Sequence, residues 1–219
     1  MLERSDYPMI VSMMGANGCG KTATIERIMA LHPQGLCAHV HVGRMLREKY
    51  PTAKFKDRAA VEETEGEAMA LMEAGIKQAI VNGATFVFVD GQPRTQQQVD
   101  RFMSLITLDD SNPLKGVMLC SILLHATTGA RFDRVHDRDH GDPERLALSR
   151  ERLHNDLIDG YGVLCKMLDI DWRPQAFDTS HMTVDQVAFR VIEHIKQKHE
   201  FGASILRMAG YRPSRNIPV

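Results

Sequence analysis

The chain has 219 residues, 43% hydrophobic and 25% charged, with a formal net charge of -1. That length suits one α/β domain with a buried core, and the balanced charge argues against a nucleic-acid or membrane-surface partner. No stretch reaches the roughly 18 apolar residues of a membrane span, and the opening MLERSDYP lacks a signal peptide's apolar core. Four scattered cysteines, Cys19, Cys37, Cys120 and Cys165, form no C-x-x-C pair. They read as reduced thiols of a cytoplasmic protein, neither a disulfide frame nor a zinc site.

Met9 to Met14 (MIVSMM) is an apolar run that stops at Gly15, as a buried parallel strand does. Thr22 to Leu31 reads as a helix ended by Pro33 and Gly35. Ala38 to Val42 is a second strand, along which His39 and His41 alternate and so can share one face. Residues 44 to 81 are helical in composition with a break near Pro51, and Ala59 to Val81 is the longest such run. Ala84 to Val89 (ATFVFV) is the clearest strand. A helix over Thr95 to Leu108 and a strand over Gly116 to Leu124 follow. Residues 125 to 142 are dense in Arg, Asp and His without periodicity. Pro143 opens a long helix towards Leu168, then come a last strand within Trp172 to Phe177 and a last helix over Val184 to Lys198. Strands alternating with helices predict a parallel sheet of about five strands flanked by helices, a three-layer α/β sandwich. One domain is expected over residues 1–202, with 203–219 a loosely packed tail, in a monomer or small homo-oligomer.

Gly15-Ala16-Asn17-Gly18-Cys19-Gly20-Lys21-Thr22 matches the phosphate-loop pattern G-x-x-x-x-G-K-[ST] between a strand and a helix, the context that pattern needs. Glycines let the backbone curl so that successive N–H groups face phosphate oxygens, and the helix start adds its dipole. Lys21 is a point charge able to follow a phosphoryl group in flight. The Thr22 hydroxyl suits Mg²⁺ bridging β and γ oxygens. The ATP-binding set is therefore Gly15, Asn17, Gly18, Cys19, Gly20, Lys21, Thr22 and Ala23. Among these phosphate-directed N–H groups the Cys19 thiol is expected to have a lowered pKa and to be sensitive to alkylation.

The strand ATFVFV runs into Asp90-Gly91-Gln92-Pro93-Arg94-Thr95. This resembles the D-G-[FY]-P-R signature of adenylate kinases and other nucleoside monophosphate kinases. The resemblance implies that Asp90 holds Mg²⁺ through water, that Arg94 forks onto the AMP phosphate, and that Gln98, four positions on, reads the adenine edge. Val42-Gly43-Arg44-Met45-Leu46-Arg47 looks like the same family's T-G-D-M-L-R segment. It adds Gly43 and Arg47 to an AMP site that also includes Gly91, although Val42 and Arg44 depart from the pattern. Lys-Thr also stands where these kinases carry Lys-Gly-Thr.

The same likeness places an AMP-binding insertion over about 43–83 and a short lid over about 131–142. Family members carry lid arginines as R-x-x-x-R, then R-x-D-D and a later R-L. Here Arg131, Arg134 and Arg138 are followed by Asp139 and Asp142, then Arg150 or Arg152. Arg131, Arg138 and Arg150 are the expected catalytic cations beside Lys21 and Arg94, since phosphoryl transfer needs its equatorial charge surrounded and water excluded. Asp178-Thr179-Ser180 resembles the segment where a last strand passes the ATP base; by itself it is a capped helix start. The activity implied is ATP + AMP ⇌ 2 ADP with Mg²⁺. Two alternatives stand beside it: transfer to CMP, UMP or a deoxynucleotide, and a P-loop protein that binds nucleotide without transferring phosphate.

Overall fold

The computed structural model describes residues 1–50, 65–93, 96–105, 114, 116–151, 153 and 174–211. Five strands form one sheet: β1 (Met9–Met14), β2 (Cys37–Val40), β3 (Phe86–Asp90), β4 (Met118–His125) and β5 (Gln175–Asp178). Their order is β2-β3-β1-β4-β5, and every pairing is parallel. The helices are α1 (Lys21–Ala30), α2 (Val42–Lys49), α3 (Glu65–Val81), α4 (Gln96–Leu105), α5 (Thr128–Asp139), α6 (143–151) and α7 (Val184–Met208).

β1 is the central strand, buried along its whole length, which is why its sequence is a continuous apolar run and not an alternating one. Alternate residues then serve opposite faces. Ile10 and Met14, with Val87 and Val89 of β3, pack under Met72, Ile76 and Ile80 of α3 and Val99 and Phe102 of α4. Met9, Val11 and Met13, with Phe86 and Phe88, pack under Ile25 and Ile28 of α1 and Val187, Val191 and Ile195 of α7. Each such large side chain contributes roughly 1.5–3 kcal/mol by leaving water. The three-layer α/β architecture follows.

The registers fix where chemistry can occur. Met13 of β1 pairs with Asp90 of β3, and Met14 pairs with Leu123 of β4. The strands therefore end level, and the turn from Gly15 onward starts in the crevice beyond their carboxyl ends, where open α/β sheets bind ligands.

Three segments differ from the sequence reading. β2 stops at Val40 because His41 caps the next helix, its Nδ1 accepting from the Arg44 N–H at 3.3 Å. Residues 128–139, read as aperiodic, form α5, capped by Thr127, whose side-chain oxygen accepts from the Ala130 N–H. The buried positions of α5 are Arg131, Val135 and Asp139. Helical spacing is present, but two of the three are charged, so hydropathy alone could not reveal it. α7 runs to Met208, past the expected boundary at residue 202, and Ala203 within it is only 3% exposed. It starts with a reciprocal capping box between Thr183 and Gln186. Tyr211 beyond it packs so close to Gly116 that a Cβ there would lie 1.8 Å from the ring.

Arg94, Thr95, Arg152, Cys165, the stretch 51–64 with its Pro51, and the expected helix beyond residue 153 lie outside the described residues, as do 212–219. No helix among the described residues is long and apolar enough to cross a membrane.

Candidate functional site

The loop between β1 and α1 is held against β4 and α5. Gly15 has φ 135° and Gly18 φ 81°, both in the region that favours glycine. A Cβ on Gly15 would sit 2.1 Å from the Leu124 carbonyl oxygen, and one on Gly18 would sit 2.7 Å from that of Arg131. Backbone approach thus makes a side chain costly at either position. Gly20, at φ 90°, precedes Lys21, the first residue of α1. Lys21 Nζ donates to the carbonyl oxygens of Gly15 at 2.7 Å and Ala16 at 2.9 Å. Asn17 and Thr22 are half-buried, while Ala23 is exposed on α1.

Thr22 Oγ1 donates to Asp90 Oδ2 at 2.5 Å. Asp90 is 7% exposed, and burial alone would raise its pKa. The His39 imidazole, the Thr22 hydroxyl, the positive field of Lys21 and, at acid pH where it is protonated, that of His41 outweigh that and hold it down to about 2. His39 Nε2 lies 3.5 Å and His41 Nε2 4.0 Å from the same oxygen, and the two rings stack with centroids 5.5 Å apart. The 3.5 Å contact is at the outer limit of hydrogen-bond length, and no closer partner among the described residues reaches that nitrogen. Burial, aided by the charges of His39, Arg47 and Arg44, lowers the His41 pKa against the pull of Asp90. A neutral His41 whose Nδ1 accepts from Arg44 carries its proton on Nε2, the atom facing Asp90.

On the other side of β3, Gly91 (φ 76°) donates its N–H to the Met13 carbonyl at 2.9 Å. Ser12 Oγ donates to the Gln92 carbonyl at 2.6 Å, and Gln92 Oε1 is buried with no hydrogen-bond partner among the described residues. Gly43 and Arg47 lie on α2, Arg47 exposed and with its guanidinium beside Gly43. Gln98 is on α4, 5% exposed. Val42 is 1% exposed and belongs to the core.

Of the expected cations, Arg131 reaches the loop: it is 4% exposed, and its Nε donates to the Asn17 carbonyl oxygen at 2.9 Å. The contacts of Arg138 and Arg150 run between α5 and α6. Arg138 forks onto Asp139 at 2.6 and 2.8 Å and donates to Ser149 Oγ at 3.1 Å. Arg145 joins the same carboxylate at 2.9 Å. Arg150 stacks over the Phe132 ring at 5.2 Å. These two arginines tie α5 to α6.

The expectation for Cys19 is corrected. Its thiol is 2% exposed, and burial raises its pKa despite the opposing charges of Lys21 and Arg131. Loop N–H groups do not offset desolvation at a side chain turned into the core cluster below. Cys37 and Cys120 are likewise free and buried, each pushed up to about 12.

Neither His39 nor His41 was assigned to the site from sequence; Arg134 was named among the lid arginines and Thr179 in a segment near the ATP base, without the contacts both make with the loop. For the histidines a signal existed: their alternation at the end of a strand beside the Asp90 strand. For Thr179 the signal was the resemblance of Asp178-Thr179-Ser180 alone, because its partners are carbonyls 160 and 54 residues away. A shallow groove between α3 and α4, lined by Met69, Glu73, Asp100 and Arg101 among others, contains none of the loop residues. Glu73 there is ion-paired with Lys77 and Arg101.

The same chain path is found in solved structures. A candidate kinase from Chloroflexus aurantiacus superposes with a TM-score of 0.54 at 13% identity, over 87% of this chain and 97% of that one. The protein APE1195 matches with a TM-score of 0.54 at 15% identity, over 89% and 98% of the two chains. They share the fold. At such identities the likeness carries the architecture alone. A scan of protein families gives no match, and no curated protein matches the sequence.

Proposed function

We propose that this chain is a P-loop phosphotransferase that moves the γ-phosphate of ATP to a nucleoside monophosphate, with AMP as the acceptor. The observation that carries the reading is the Thr22–Asp90 contact of 2.5 Å. Two motifs 68 residues apart in sequence converge on one point beside Lys21. The kinase description of one structural neighbour agrees with it.

The donor set suits Mg²⁺: a hydroxyl and a carboxylate kept ionised by its surroundings are hard oxygen ligands. Thr22 would bind it directly and Asp90 through water. When bound, the ion would neutralise charge on β and γ oxygens. Glycine-rich backbone binds the polyphosphate, and Lys21 exchanges its loop carbonyls for phosphate oxygens. An acceptor phosphate is already an anionic nucleophile, so the residues have to align and neutralise and no general base is required. Arg47, Arg94, Gly43, Gly91 and Gln98 form the acceptor side in this reading.

Val42 lies in the core cluster, and in this reading selectivity rests on Gln98. This keeps CMP, UMP and deoxynucleotides as a second reading of the acceptor. The test is transfer from ATP with Mg²⁺ to AMP, CMP, UMP, GMP and their deoxy forms, followed by ADP release. Preference for AMP supports the full reading. Preference for another nucleotide keeps phosphoryl transfer and moves the acceptor. ATP binding without transfer to any acceptor refutes the enzyme.

A further inference from the structure

Three consecutive carbonyl oxygens of the phosphate loop are gripped from outside. That of Asn17 accepts from Arg131 Nε at 2.9 Å. That of Gly18 accepts from Arg134 Nη1 at 3.4 Å, and that of Cys19 accepts from Thr179 Oγ1 at 3.1 Å. Arg134 and Thr179 are themselves joined: Nη1 donates to Thr179 Oγ1 at 3.0 Å, and Nη2 donates to the Thr179 carbonyl. The Thr179 hydroxyl proton is shared between the Cys19 carbonyl and that of His125 at 3.2 Å, and the Thr179 N–H donates to His125 at 2.8 Å. Thr179 is 2% exposed, so this junction is built into the interior, where the end of β4, the turn after β5 and α5 meet the loop.

We infer that Arg131, Arg134 and Thr179 are positioning residues of the phosphate loop, which set its amides for a polyphosphate by holding its carbonyls. In a trans peptide the carbonyl of one residue and the N–H of the next point in opposite directions. Fixing the carbonyls of residues 17, 18 and 19 outward therefore turns the N–H groups of Gly18, Cys19 and Gly20 the other way; that of Cys19 donates to the Ala16 carbonyl at 3.3 Å and exchanges it for phosphate on binding. An anion site made of such amides stabilises charge most when its dipoles need no reorganisation on binding. The missing Cβ of Gly18, which lets the Arg131 backbone come within 2.7 Å of that position, belongs to the same construction. Arg131 and Arg134 thereby act on phosphate through the loop and do not touch it. The polyphosphate ligand itself rests on the function proposed above.

The test is calorimetric binding of inorganic tripolyphosphate, and of ATP with Mg²⁺, to the full chain and to three variants, with unfolding midpoints measured alongside. Thr179→Val keeps the shape and removes the donor; it should weaken both ligands by a similar factor, about fivefold for one net hydrogen bond. Thr179→Ser restores the hydroxyl and should bind like wild type. Arg134→Lys keeps the charge and loses the fork, and should weaken binding about as much as Thr179→Val. A general loss of packing would lower the unfolding midpoint of all three without this pattern of rescue. Thr179→Val and Arg134→Lys both binding tripolyphosphate like wild type, or Thr179→Ser failing to rescue, would overturn the clamp while leaving nucleotide binding intact. Wild-type protein that binds neither ligand would overturn the function reading, and the clamp with it.

Discussion

Thr22 and Asp90 meet at a 2.5 Å hydrogen bond, although one begins a helix and the other ends a strand. The contact exists because β1 and β3 pair in a register that sets Met13 opposite Asp90, and the loop carries the chain from Met13 round to Thr22. A buried carboxylate here is sustained by its neighbours, so removing its charge should be felt in chemistry more than in folding. Asp90→Asn, which keeps the volume, should lower turnover by roughly 100-fold or more with an unchanged circular dichroism spectrum. Lys21→Met and Arg94→Ala should each lower turnover to a similar degree. Steady-state assays of the three purified variants decide it; wild-type turnover in any one removes that residue from the site.

The same carboxylate makes stability depend on acidity. Its pKa is about 2 in the folded chain against 3.8 for an unperturbed group, so the unfolded state binds the proton more tightly. Asp90 therefore contributes stability that is fully present above pH 3.8 and lost as pH falls towards 2. The contribution is on the order of 2 kcal/mol. Asp139, held to about 2 by Arg138 and, less strongly, by Ser149 and Arg145 against the cost of burial, acts in the same sense. Its arginine partners are half-exposed and screened, so its share is smaller. Urea unfolding at pH 7, 5, 4 and 3 should show the loss at pH 3, and Asp139→Asn should show a shallower decline than wild type.

The central layer was legible because burial writes itself directly into residue type. MIVSMM and ATFVFV sit in the middle of a parallel sheet and have no solvent face to encode. The loop was legible for a different reason: its glycines answer to backbone geometry, which leaves few substitutes. Helix α5 was illegible because two of the three side chains it buries, Arg131 and Asp139, are charged, and the partner of Arg131 is a carbonyl 114 residues away. The assignment of Arg138 and Arg150 to phosphate came from sequence order along a lid. Sequence order does not encode that Asp139, one residue away, captures Arg138.

Gly18 gives a prediction that depends on backbone alone. At φ 81°, with the Arg131 carbonyl oxygen 2.7 Å from any added Cβ, Gly18→Ala pays both for its conformation and for displacing α5. It should cost roughly 1–3 kcal/mol of stability and weaken ATP binding, because the loop shifts with it. Gly66→Ala, on a helix where an added Cβ meets nothing within 4 Å, is the matched control and should leave both unchanged or slightly improved. Equal unfolding midpoints for the two variants would mean that the contact at Gly18 is soft.

Cys19 separates two views of the loop by a chemical rate. A thiol activated by loop amides would be alkylated quickly at neutral pH. Cys19 is buried in the core cluster that also holds Ile25, Leu124 and Val187, and its pKa is raised, so the reactive thiolate is scarce and shielded. Iodoacetamide should leave Cys19 unmodified in the native protein over hours and label it readily in urea, as followed by peptide mass mapping. Cys37 and Cys120 share this burial and should behave the same way. Rapid native labelling at Cys19 alone would show that the loop opens to solvent far more often than its packing against α5 and β4 allows.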